Sequence, residues 1–165
     1  MRNIKGFTIV EMLITAIISA MLFLLVTNIL IAGIKSQSTG ADLVDLQKAQ
    51  VLIITRITND ARWADEVAVN TSTNEITFIK DGKATSYFFV GAPQYRVEQR
   101  LPSGPTGPVN PESVWVTNFG LSTNRIGGEI SGVNIEMTLQ SVENPDLTYN
   151  SSNTVSKRIS QVGEL

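Results

Sequence analysis

The chain reads as an α+β protein, one long N-terminal helix packed on an antiparallel β-sheet. Three observations point there. Residues 7–34 form an almost unbroken apolar run. Residues 41–66 repeat apolar side chains at the three-to-four spacing of a helix with one buried face. From Val67 onward the period drops to two, with turn residues between the runs, as strands require. A helix and a sheet that each carry one apolar face bury both by packing together. The sequence divides accordingly into a leader (1–6), a membrane or filament-core helix (7–34), an amphipathic helix entering the head (35–66) and a β-rich head (67–165). The head holds about 100 residues, enough for one small core.

The apolar run begins after MRNIKG, a leader that carries Arg2 and Lys5. A bilayer core is crossed by about 20 apolar residues at about 1.5 Å each, so Phe7 to Ile34 crosses and still projects. An ordinary cleaved signal has an apolar stretch of about 7–15 residues and a small-residue cleavage site, which fits poorly. The chain has no Cys, so lipoprotein anchoring is excluded. Glu11 is the single charge inside the run. A carboxylate there costs a few kcal/mol unless a partner offsets it, and Thr8 carries no charge to neutralise it. Cutting the chain after Gly6 would give Phe7 a free α-amino group within five residues of Glu11. That cation could also pair with Glu11 of an adjacent copy when helices bundle in register.

A short basic leader ending in Gly6, then Phe7-Thr8-Ile9-Val10-Glu11 and a long apolar helix, resembles a class III (type IV) prepilin signal. The family holds type IV pilins, the pseudopilins of type II secretion and competence pseudopilins. The resemblance implies cleavage between Gly6 and Phe7 by a membrane prepilin peptidase, N-methylation of Phe7, and pairing of Glu11 with the Phe7 amine of a neighbouring subunit during filament assembly. It implies other pilin or pseudopilin subunits as partners through the N-terminal helix, and no cofactor. It also implies a single pass of the cytoplasmic (inner) membrane with the head outside the cytoplasm, followed by a cell-envelope or surface filament. Arg2 and Lys5 on the cytoplasmic side fit the positive-inside rule. Many pilus-forming relatives carry a Pro in this helix, and Phe7 to Gly33 has none. This departure favours a minor pilin or pseudopilin over a major pilin. A membrane-anchored adhesin or binding module on a pilin-type anchor is the rival from another class.

Composition narrows the chemistry. With no His and no Cys, zinc sites built on those residues and Ser/Cys–His triads are excluded. Carboxylate pairs for glycoside chemistry find no acidic cluster in an aromatic cleft pattern, so an enzyme is not expected. The 13 basic side chains, less Arg2 and Lys5 with the leader, leave 11 against 15 acidic ones, a formal −4. Direct nucleic-acid binding through phosphates therefore has no basic footprint.

The remaining elements follow in order. Lys35–Gly40 (KSQSTG) reads as a polar, weakened stretch of one continuous helix, since Gly33 and Gly40 each cost about 1 kcal/mol relative to Ala. Leu43, Leu46, Ile53, Ile54, Ile57, Ala61 and Ala64 form the apolar face, interrupted by Gln50, and pack the helix on its own sheet. Leu52 and Trp63 point away from it, toward something else. Asp42, Asp45, Arg56, Asp60, Arg62 and Glu66 read as a solvated surface. Residues 67–70 are a short strand. Residues 75–79 and 84–90 form a hairpin on Asp81-Gly82, because a type I′ turn needs positive φ at both central residues. Residues 94–101 are a strand with Arg96, Glu98 and Arg100 on its outer face. Residues 102–113, with Pro102, Pro105, Pro108 and Pro111, are an extended loop. Residues 113–123 and 132–142 are strands around a Gly-rich turn at 125–132. Residues 143–153 are a polar loop in which Glu143, Asn144, Asp146 and Asn150 offer oxygen atoms of the kind calcium takes, at a spacing that matches no defined loop. Residues 154–160 are a last strand. Tyr95, Trp115 and Phe119 are the aromatics that a binding pocket on the head would use.

Overall fold

The computed structural model describes residues 8–126 and 129–156. Ile9–Trp63 form one α-helix, α1, of 55 residues. No Pro interrupts it, and Gly33 and Gly40 remain helical within it. Ser38 and Thr39 each donate to the Lys35 carbonyl at 3.0 Å, so the polar stretch stays inside the helical hydrogen-bond pattern. The chain divides into two compact units at Gly40/Ala41. In the first, every large apolar side chain from Ile9 to Ile34 is more than half exposed. This part of α1 is long and apolar enough to cross a membrane.

In the second unit α1 has a buried side. Leu46, Ala49, Ile53, Ile57 and Ala61 recur at three- and four-residue steps and are sealed from solvent. The sequence reading placed Leu43 on that side, but it is 37% exposed; Ala49 fills the seam. The helix stops at Trp63, earlier than expected, because the chain is already committed to strand pairing: the Asp65 amide donates to the Ile79 carbonyl at 2.7 Å. The Asp65 carboxylate also accepts from the Asp81 amide at 2.8 Å, tying the helix exit to a hairpin turn.

The strands form two antiparallel sheets, not one. Strands β1 (Glu66–Asn70), β2 (Glu75–Lys80), β3 (Lys83–Val90), β4 (Arg96–Arg100) and β5 (Thr106–Pro108) make a meander in chain order. Strands β6 (Val114–Ile126), β7 (Glu129–Ser141) and β8 (Thr148–Ser156) make the second sheet. The β2–β3 hairpin turns where expected: Lys80 pairs with Lys83, and Asp81 and Gly82 take φ of 50° and 71°. Inner-face residues Ile76, Phe78, Tyr87 and Val97 of the first sheet and Val116, Phe119, Ile135, Met137 and Leu139 of the second share one buried cluster with α1.

Asn110 joins the sheets. Its Oδ1 accepts from the Val97 amide of β4 at 3.0 Å, and its Nδ2 donates to the Val114 carbonyl of β6 at 2.6 Å. Beside it the Val109 amide donates to the Val97 carbonyl at 2.8 Å, and the Val116 amide to the Tyr95 carbonyl at 2.7 Å.

Several boundaries differ from the sequence reading. The proline-rich loop contains β5, since Pro is tolerated on a sheet edge. The Gly-rich segment is largely strand: Gly132 pairs with both Asn124 and Ser156, and a Cβ there would meet the Val155 carbonyl oxygen at 3.4 Å. Of residues 143–153, those from Thr148 on belong to β8. The tip at Gly127-Gly128 and the end of the expected last strand, from Lys157, lie outside the described residues. On β4 the outer face is less open than its charges suggest, because Arg96 lies against Glu98, which is buried.

Candidate functional site: the capped start of the apolar helix

Residues Thr8 to Glu11 close on each other at the first turn of α1. Glu11 Oε2 accepts from the Thr8 amide and from the Thr8 hydroxyl, both at 3.0 Å. The Glu11 amide donates back to Thr8 Oγ1 at 3.3 Å. Thr8 is therefore the N-cap and Glu11 the N3 residue of a capping box, which satisfies amides that a helix start leaves unpaired. Charge placement agrees, since a carboxylate in the first turn faces the positive end of the helix dipole. One turn on, the Thr15 hydroxyl donates to the Glu11 carbonyl.

The chemical consequence is a carboxylate that is oriented but, among the described residues, not neutralised. It is aimed back toward the chain start, onto the amide that directly follows residue 7. A carboxylate has about four acceptor positions, and Thr8 engages one oxygen, so a cation can still be received. Thr8 does not neutralise Glu11, as its uncharged side chain implies, but it does orient the carboxylate. The signal was present, because Ser/Thr-x-x-Glu before an apolar run is the capping-box pattern. Gly6 and Phe7, the expected cleavage and methylation positions, lie outside the described residues.

The other candidates disperse. Phe119 is fully buried core. Tyr95 and Trp115 pack against each other, ring centres 5.7 Å apart and planes tilted by 41°. Asn150 Oδ1 accepts from the Thr138 hydroxyl at 2.8 Å, and Asn144 is bonded into its own loop through its backbone amide and carbonyl. Among the described residues no three His, Cys, Asp or Glu side chains gather to hold a metal. A hollow of about 50 Å³ is lined by Asp42, Asp45, Ser113, Ser141 and Glu143, and an apolar gap of about 10 Å³ lies between Ala61, Phe78, Val133 and Val155. Leu52 and Trp63 face outward as expected, and Lys80 Nζ sits 5.7 Å from the centre of the Trp63 ring.

One surface charge has a different role from the one expected. Asp60 accepts from the Tyr87 hydroxyl at 2.7 Å, and Gln99 donates to both, at 2.8 Å to the Tyr87 oxygen and 3.4 Å to Asp60. The group locks α1 to β3 and β4. Burial first, then the Asp60 hydrogen bond and charge, push the Tyr87 phenol well above its ordinary value.

Residues 1–27 match the family model of the prokaryotic N-terminal methylation motif. No curated protein and no solved structure gives a match. The motif points to a structural subunit that a prepilin peptidase processes and that assembles with other pilins, anchored in a membrane by its apolar helix. The capped apolar helix, the matched motif and the antiparallel sheets together describe a chain with a type IV prepilin-like class III signal on an α+β, pilin-like fold.

Proposed function

We propose that this chain is a structural subunit of a type IV pilus-like filament, a minor pilin or pseudopilin of a type II secretion or type IV pilus system. It is cleaved between Gly6 and Phe7, methylated on the new Phe7 amine, held single-pass with its head outside the cytoplasm, and then drawn into the filament. Glu11 receives the Phe7 amine of a neighbouring subunit and sets the register. The observation that carries this reading is the Thr8–Glu11 capping box inside a matched methylation motif. It presents an oriented carboxylate at the start of α1, ahead of a run from Ile9 to Ile34 whose large apolar side chains are all more than half exposed. An unpaired carboxylate in an apolar bundle would cost several kcal/mol, a cost that a cation from a neighbouring subunit offsets. The unbroken, proline-free course of α1 supports the minor-subunit assignment.

Intact mass and N-terminal analysis of the protein from its native membrane test the processing. Loss of MRNIKG with a methylated Phe7 is expected. An intact Met1 in a strain with an active prepilin peptidase would contradict the proposal and bring forward the anchored adhesin or binding module. Subunit abundance in sheared filaments separates a minor from a major pilin.

A further inference from the structure

Between Glu11 and Lys35 the helix carries no charge and four polar side chains, Thr15, Ser19, Thr27 and Asn28. The two threonines are satisfied within the helix, donating to the carbonyls of Glu11 and Phe23. Ser19 needs only a rotamer change to do the same with the carbonyl one turn back. Asn28 is different. It stands exposed, and its side chain makes no hydrogen bond among the described residues. A carboxamide has two donors and an acceptor, more than one backbone carbonyl can satisfy. Asn28 lies seven residues before Lys35 and seventeen after Glu11, about 10 Å and 25 Å along the axis, inside a hydrocarbon core about 30 Å thick. No water is available there to complete its bonds.

We infer that Asn28 is a pairing site for the membrane helix, and that its partner is Asn28 of a second copy of this chain. The amide is self-complementary, its partially negative oxygen matching the partially positive NH2 of an identical group. Copies inserted with the same leader charges inside run parallel, so two Asn28 side chains reach the same depth and exchange reciprocal bonds across an isologous contact. On the same side of the helix stand Met21, Leu24, Leu25 and Ala32, at steps of seven, four, three and four residues. Small Ala32, one turn away, lets the backbones approach. Val26 lies on the opposite side. The inference rests on the membrane span and not on filament membership, and its test reads pairing in the bilayer alone.

The chain has no Cys, so single reporters can be placed cleanly. Full-length protein carrying Ala32→Cys, and separately Val26→Cys, is reconstituted in phosphatidylcholine vesicles and oxidised. Disulfide-linked dimer is expected for Ala32→Cys and little for Val26→Cys. Adding Asn28→Leu should weaken the Ala32→Cys association constant about three- to thirty-fold, and Asn28→Gln should restore most of it. Helical circular dichroism unchanged by Asn28→Leu keeps the reading clean. Equal cross-linking with and without Asn28→Leu would overturn the inference, as would equal yields from the two cysteine positions. Monomer in pure vesicles, with pairing only to a different membrane protein in native membranes, would overturn the assignment to a second copy.

Discussion

One helix, α1, is asked to live in two surroundings. From Ile9 to Ile34 its large apolar residues have no preferred side and are all more than half exposed. From Leu46 to Ala61 they keep three- and four-residue steps, and that side is sealed by the head's own sheets. The second pattern is that of a surface helix on a globular core. The first, apolar all round, is that of a helix covered by lipid or by other helices. The same secondary structure therefore spends its apolar residues on folding in one half and leaves them uncovered in the other, where the proposed function uses them for anchoring and assembly. Polar groups divide in the same way. Asp60 and Gln50 are satisfied by side chains of the head's strands, whereas Glu11 is held by Thr8 and keeps capacity for a group from outside.

Substitutions in the two halves should therefore behave differently. The largest expected effect is on the head: Ile53→Ala should cost about 2–5 kcal/mol of its stability by opening a cavity in the seam. Leu24→Ala, an equally large truncation in the other half, should leave the head's unfolding midpoint unchanged. Thermal unfolding of the full chain in detergent, followed by tryptophan emission, compares the two, and equal losses would erase the distinction between the halves. Next, Asn110→Ala should cost about 1–3 kcal/mol, because it strands the Val97 amide and the Val114 carbonyl between the sheets.

Tyr87→Phe should cost about 1–2 kcal/mol by leaving Asp60 with Gln99 alone, and it carries a pH signature. The folded phenol holds its proton more tightly than the unfolded one. Its contribution is therefore full below the unfolded value of about 10 and is lost as pH rises above it. Wild-type stability should fall steeply in strong alkali, and Tyr87→Phe should flatten that fall; parallel curves would show that Tyr87 is not the titrating group. The smallest effect is Thr8→Val, about 0.5–2 kcal/mol and confined to the first turn of α1. It would appear as faster amide exchange at Glu11 and Met12, with the head unaffected.

What was legible in the sequence was local. The apolar run, the amphipathic half, the Asp81-Gly82 hairpin and the outward Trp63 all follow from spacing or turn chemistry, which neighbouring residues determine. The division into two sheets was not legible, because strand pairing is set by residues far apart in the chain: β5 pairs back onto β4 while β6 pairs with β7, and Asn110 then bridges β4 and β6. Asp60 was misread for the same reason: four residues from Arg56 it has the spacing of a solvated ion pair, and Tyr87 lies 27 residues further along the chain. β5 was hidden because prolines mark a loop unless the strand is an edge. At the candidate site Glu11 stood out as a charge in an apolar run, and the Thr8 cap was readable from spacing but outweighed by attention to charge.

In the proposed function Glu11, oriented by Thr8, serves assembly and not insertion. The most direct test is Glu11→Val in the native strain, comparing the mutant chain in the membrane fraction with that in sheared filaments. Wild-type levels in the membrane and loss from the filaments are expected. Mutant subunit in filaments at the wild-type level would contradict that role.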